Sequence, residues 1–120
     1  MFDWRHSLDF ARTLVSAAPE GSEASHRAAA SRAYYAAFHK SREVLESEMR
    51  ATLGRERIHA EVIRQLRERE WWQSAGQNLE RLWKHRQHAD YNSEKDFALR
   101  HAQMAVDLAS EVLRDVENPR

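Results

Sequence analysis

Cysteine is absent from the 120-residue chain, which excludes a disulfide framework, thiolate ligation of zinc and thiol catalysis. Two prolines and three glycines are too few for a loop-rich fold, and neither a glycine-rich phosphate loop nor a G-x-S-x-G elbow occurs. Neither sign of charge is in excess, with 19 acidic residues against 19 Lys plus Arg. A protein that coats nucleic acid is normally strongly basic, so any cationic site here has to be local. No apolar run approaches the ~20 residues of a membrane-spanning helix. The opening MFDWRHSLDF has no apolar signal-peptide core. A cytoplasmic protein without a membrane partner is therefore expected. The length suits one domain, residues 1–117, with a short tail at 118–120.

What is present favours helix: 18 alanines, with abundant Glu, Arg, Leu and Gln. No stretch alternates as a strand would. The pattern predicts an all-α, up-and-down bundle of four to five helices, with five traced along the chain. The first covers about 3–17, with Trp4, Phe10 and Leu14 inward, and ends at the Pro19-Glu20-Gly21-Ser22 turn. The second, about 23–50, starts from Ser22 as N-cap and carries Tyr34, Phe38, Leu45 and Met49 at helical spacing. Gly54 closes that region. A third, about 55–70, uses Ile58, Val62, Ile63 and Leu66. Trp71 and Trp72 follow, as a lid on the bundle end or as an interaction patch. Ser74 and Gln77 have capping-box spacing for a fourth helix at about 75–89, with Leu79, Leu82 and Trp83 inward. Asp90, Tyr91 and Asn92 are expected to break the chain, and Ser93 with Asp96 to start the last helix, about 94–116. That helix shows Phe97, Met104, Leu108 and Val112 beside an Ala98-Ala102-Ala105-Ala109 stripe, which would let another helix approach closely.

Polar residues are informative where they recur on one face. Arg32, Tyr35 and His39 stand at i, i+3 and i+7 on the second helix. As a solvated stripe they would only snorkel over the bundle surface. The fourth helix is denser, with Arg81, Lys84, His85, Arg86, His88, Asp90 and Tyr91. Arg81, His85 and His88 fall at i, i+4 and i+7, and Arg86 and Asp90 are one turn apart. A guanidinium is a fixed fork of donors for phosphate oxygens, and an imidazole near its ordinary pKa moves a proton at neutral pH. Metal-free transesterification of an RNA phosphodiester requires those groups. The same residues also suit an ordinary charged helix face with a weak Arg86–Asp90 pair. His85 and His88 have no third ligand, and adjacent cations would repel a metal, so neither metal nor cofactor is expected.

The segment Ser31-Arg32-Ala33-Tyr34-Tyr35-Ala36-Ala37-Phe38-His39 closely resembles the signature of small bacterial HEPN-domain proteins (higher eukaryotes and prokaryotes nucleotide-binding). Leu79 to Tyr91, with its Arg86…Ala89-Asp90-Tyr91 ending, resembles the same family, as do Trp4 to Leu14 and His59-Ala60-Glu61-Val62-Ile63. The resemblance implies a helical bundle that commonly dimerises. In active HEPN ribonucleases an Arg-x(4–6)-His motif from each subunit meets at the dimer interface and cuts RNA without a metal. Many members are toxins of toxin–antitoxin pairs, encoded beside a small nucleotidyltransferase-like protein; others act in phage defence or are proposed to bind nucleotides.

Arg81 and His88 match the motif's spacing, with six residues between them, while Arg86-Gln87 has its local context. Counting on from Arg86, Tyr91 occupies the histidine position, after Asp90. The resemblance therefore makes Arg86, His88 and Arg81 the catalytic candidates. Asp90, Tyr91, His85, Arg32, Tyr35 and His39 are the binding candidates, with Asp90 orienting a cation and Tyr91 stacking or hydrogen-bonding. The expected function is a homodimer that binds RNA or a nucleotide phosphate at a subunit-interface cleft, as a metal-independent ribonuclease. The alternative is a non-catalytic HEPN module that binds a nucleotide or a nucleotidyltransferase-like partner.

Overall fold

A computed structural model describes residues 2–17, 22–92 and 96–118. Helix α1 spans Arg5–Ala17, α2 Glu23–Met49, α3 Ile58–Glu68, α4 Gln73–Tyr91 and α5 Leu99–Glu117, with a 3-10 turn at Glu70–Trp72 leading into α4. Among the described residues there is no strand, and the protein is an all-α helical bundle. None of the described helices is long and apolar enough to cross a membrane.

Helix α2 is the axis of the bundle. Ala29, Ala30, Ala33, Ala36 and Ala37 are fully buried along it, interspersed with buried Tyr34, Phe38 and Leu45. Methyl-sized side chains let α1, α4 and α5 pack against it together. A helix covered on several sides needs no single apolar stripe. Helix α5 is one-sided instead: Ala102, Ala105, Leu108, Ala109 and Val112 are buried, and its most extensive packing is on α2. The alanine stripe is thus occupied inside the subunit, except Ala98, which precedes the helix.

The structure departs from the sequence pattern at several places. Phe10, expected inward, is 50% exposed, while Leu8 and Ala11 take the buried positions of α1. Residues 8 and 11 share the inner face with Leu14 and Val15, and Phe10 falls off that stripe. Met104 is likewise exposed. Helix α2 stops at Met49, where Arg50 adopts a left-handed conformation (φ 53°), so the end comes before Gly54. Helix α3 is shorter than expected and starts after Arg57, also left-handed (φ 51°).

No Ser74–Gln77 capping box opens α4, which continues from the 3-10 turn with Trp72 at the N-cap position and no side-chain cap. Trp72 is buried, while Trp71 stays 40% exposed. The expected break at Asp90-Tyr91 is instead the last turn of α4. Helix α5 begins only at Leu99, where the ring of His101 accepts the Ala98 N–H through Nδ1 at 3.0 Å. Phe97 is therefore a buried residue ahead of the helix, and Ser93 lies outside the described residues.

Candidate functional site

Helix α4 carries most of the candidates, and its winding divides them. Successive residues turn by about 100°, so Arg86 and His88 project to opposite sides. Arg86 turns toward α2. Its Nε lies 2.8 Å from Asp90 Oδ2, and its Nη2 donates to the Tyr35 hydroxyl at 3.0 Å. The guanidinium carbon is 5.2 Å from the Tyr35 ring centre and 5.8 Å from those of Tyr34 and Tyr91. Only 14% of the Arg86 side chain is exposed. Its charge is paired with Asp90 and its Nη2 with Tyr35 within the subunit, while the buried Nε makes no hydrogen bond among the described residues.

The Tyr35 ring stacks on His39 at 5.8 Å, and His39 stacks on Trp4 at 4.1 Å. Tyr91, Arg86, Tyr35, His39 and Trp4 therefore form one continuous ladder from the end of α4, across α2, to the residue before α1. His39 sits in this stack with its pKa held below the usual histidine value, by burial first and by the Arg42 charge second. Arg32 joins no part of it: its guanidinium lies 5.9 Å from the Phe10 ring, toward α1.

His59, outside the candidate set, belongs beside the ladder. Helix α3 brings its Nδ1 to 2.5 Å from the Tyr34 hydroxyl, a hydrogen bond, and its ring stacks on Trp83 of α4. Burial lowers the His59 pKa, helped by the Arg86 and His39 charges. Burial raises that of the Tyr34 hydroxyl, which stays protonated. No spacing in the sequence links residue 59 to residue 34, because the pairing depends on how α3 docks.

On the other side of α4, Arg81, Lys84, His85 and His88 line an open hollow, and no carboxylate is among the described residues that form it. The His85 pKa is lowered by burial, then by His101, Arg81 and His88, so at neutral pH the imidazole is uncharged. His88 leans toward α5, with its ring 5.4 Å from Phe97 and 6.0 Å from His101. Its Nε2 is buried and has no partner among the described residues. An oxyanion entering the hollow would meet two permanent cations and a neutral imidazole.

The candidate residues are thus distributed over two places. Arg81, His85 and His88 come together with Lys84; Arg86, Asp90, Tyr91, Tyr35 and His39 come together on the ladder; Arg32 is with neither. A separate hollow, at the start of α5, includes Glu23, His26 and Asp96 and has two carboxylates on its wall. Among the described residues no three His, Asp or Glu side chains gather to hold a metal ion, although Glu-x-x-His spacings occur at Glu23/His26 and Glu56/His59. Comparison of the chain with protein-family models, with curated proteins and with solved structures finds no match.

Proposed function

We propose that the chain is a HEPN-like domain that binds an RNA or nucleotide phosphate on α4, and that two copies pair so that their hollows border one cleft. One observation carries this: Arg81, Lys84, His85 and His88 share a hollow that has no carboxylate among the described residues lining it. Arg81 and Lys84 are exposed, so their pull on an oxyanion comes from two like charges acting together and weakens with added salt. The resemblance of Ser31 to His39 and of Leu79 to Tyr91 to the HEPN signatures supports the same assignment, since Arg81 and His88 keep the Arg-x(4–6)-His spacing. A cytoplasmic role in a toxin–antitoxin or phage-defence system follows from that resemblance.

In the catalytic form of this function, neutral His85 removes the proton of an RNA 2′-hydroxyl. The 2′-oxygen attacks the adjacent phosphorus while Arg81 and Lys84 hold the charge on the non-bridging oxygens. The 5′-oxygen leaves with a proton supplied by His88. The products are a 2′,3′-cyclic phosphate and a 5′-hydroxyl, so the proton taken is matched by the proton given. A non-catalytic form is favoured by the burial of His88 Nε2 and by the engagement of Arg86 with Asp90 and Tyr35. The chain would then hold a nucleotide, or a nucleotidyltransferase-like partner, without cutting.

Purified protein incubated with single-stranded RNA in EDTA separates these forms. The ribonuclease leaves cyclic phosphate ends, and Arg81→Ala or His85→Ala lowers the rate about a hundredfold or more. Binding that weakens in Arg81→Gln, without cleavage, establishes the non-catalytic form. Folded protein that neither binds nor cuts RNA or nucleotides has no phosphate site on α4.

A further inference from the structure

We propose that His101 is a positioning residue for the α4 hollow: its neutral ring latches the start of α5 against His88, and a proton on that ring opens the latch. The effect on the hollow rests on its assignment to a phosphate. Helix α5 opens at Ala98, whose side chain has no oxygen to offer the first turn. The cap comes from the third helical residue instead, where His101 Nδ1 accepts the Ala98 N–H at 3.0 Å. A capping box ordinarily puts Glu or Gln in that place, and either accepts at any pH near neutrality. Histidine accepts only while neutral, since both nitrogens of the charged ring carry protons. A charged ring there would also face the positive end of the α5 dipole.

The same ring is part of the wall that holds His88. His101 lies 6.0 Å from the His88 ring and 5.3 Å from that of Phe97, and Phe97 meets His88 edge-on at 5.4 Å. Phe97 is fixed from α2, with its N–H on Glu23 and the Arg27 guanidinium over its ring. His88 lines the hollow, yet its Nε2 is buried and has no partner among the described residues. A buried polar atom without a partner calls for an explanation; a latch that keeps His88 tucked until it opens is one. Burial lowers the His101 pKa first, followed by the charges of Arg100 on α5 and His88 on α4. His85 on α4 repels it as well. On the α2 side Glu23 and Arg27 pair with each other, and Asp96 stands with Glu23 in the separate hollow. The latch is therefore closed at neutral pH and opens as the pH falls below the ordinary histidine value of ~6.5. Once it opens, His88 Nε2 reaches the hollow with a proton to donate.

Nitrogen NMR of the full chain between pH 8 and pH 5 tests the latch. At pH 8 the His101 ring should carry its proton on Nε2, and the Ala98 amide should shift with the same midpoint as the ring. His101→Gln keeps an acceptor in the capping position and removes the titration, so its Ala98 amide should shift far less. A proton on Nδ1 at pH 8, or an Ala98 amide that titrates equally in His101→Gln, overturns the latch. Binding of a single-stranded RNA reads the effect on the hollow. At pH 8 His101→Ala should bind about twofold to tenfold more tightly than wild type, the worth of one hydrogen bond, while His101→Gln matches wild type. The gain should vanish in a His88→Ala background, which loosened packing alone would not produce. On acidification to pH 5.5 wild type should gain more affinity than His101→Gln. Equal gains in those two proteins overturn the positioning role and leave His101 a helix cap. RNA that binds none of these proteins, with the Ala98 titration intact, overturns the phosphate assignment and leaves the latch standing.

Discussion

Gly76 shows how little room separates α3 from α4. A Cβ at this position would fall 2.5 Å from Arg67 Cγ and 2.9 Å from the Arg67 backbone nitrogen. Alanine is better than glycine in a helix interior by ~1 kcal/mol, yet overpacking against backbone costs ~1–3 kcal/mol. Gly76→Ala is therefore expected to lower the stability, by about 1 kcal/mol net, seen as a lower urea midpoint with unchanged slope. Arg86 is the opposite case, a long side chain that the fold is built around. Arg86→Ala removes the partner of Asp90 and the donor to Tyr35, and should cost about 1–3 kcal/mol. Its effect should appear in the melting temperature, with phosphate affinity at the Arg81 hollow retained below the melt.

Between elements, two residues near the start of α2 join the end of α4 to the approach of α5. Arg27 Nη1 donates to the carbonyls of His88 and Ala89 at 3.0 and 2.7 Å, and Nη2 to that of Asn92 at 3.1 Å. A helix C-terminus leaves carbonyls without intrahelical donors, and a cation there satisfies them and opposes the helix dipole. This explains why α4 runs through Asp90 and Tyr91, residues that favour a break in isolation. Glu23 works on the other partner: its Oε1 accepts the Phe97 N–H at 2.6 Å, and that bond holds the carboxyl below the usual glutamate range. Arg27→Ala should destabilise by about 2 kcal/mol and loosen the last turn of α4 first. Faster amide exchange at Tyr91 and Asn92 than at Leu79 would show it. Loss of protection spread evenly over the bundle would contradict this local capping role.

Over the whole molecule, histidine makes stability depend on pH. His39, His59, His85 and His101 all have lowered pKa values, with burial the largest cause in each. Unfolding returns each to its ordinary value near ~6.5, so below that pH the unfolded chain binds more protons. The stability contributed by the four neutral rings is present above that value and is lost as the pH falls through it toward their folded values. Melting temperature should therefore drop between pH 8 and pH 5.5, and His59→Gln should flatten part of the slope. Anion binding acts in the reverse sense at His85, because a phosphate in the hollow offsets the repulsion from Arg81 and favours the protonated ring. Affinity for an RNA phosphodiester, whose own charge does not change in this range, should rise as the pH falls below neutrality. The proposed cleft adds a concentration dependence: sedimentation should show a dimer at micromolar protein, and a monomer there would confine the site to one subunit.

The helical class, the number of helices and most core positions of α2, α3 and α5 were legible from composition and spacing, because alanine-rich amphipathic segments can bury their apolar groups in few other ways. Spacing also marked α4 as the chemically dense helix and grouped Arg81 with His85 and His88, since residues three, four and seven apart share a face whatever surrounds them. The outward turn of Phe10, the length of α4 and the late start of α5 were not legible: they depend on Arg27, Glu23 and the docking of neighbouring helices. The ladder through Tyr91, Arg86, Tyr35, His39 and Trp4, and the Tyr34–His59 contact, arise from segments distant in the chain. Local spacing decides which residues share a helix face; only the packing of one helix on another decides what that face meets.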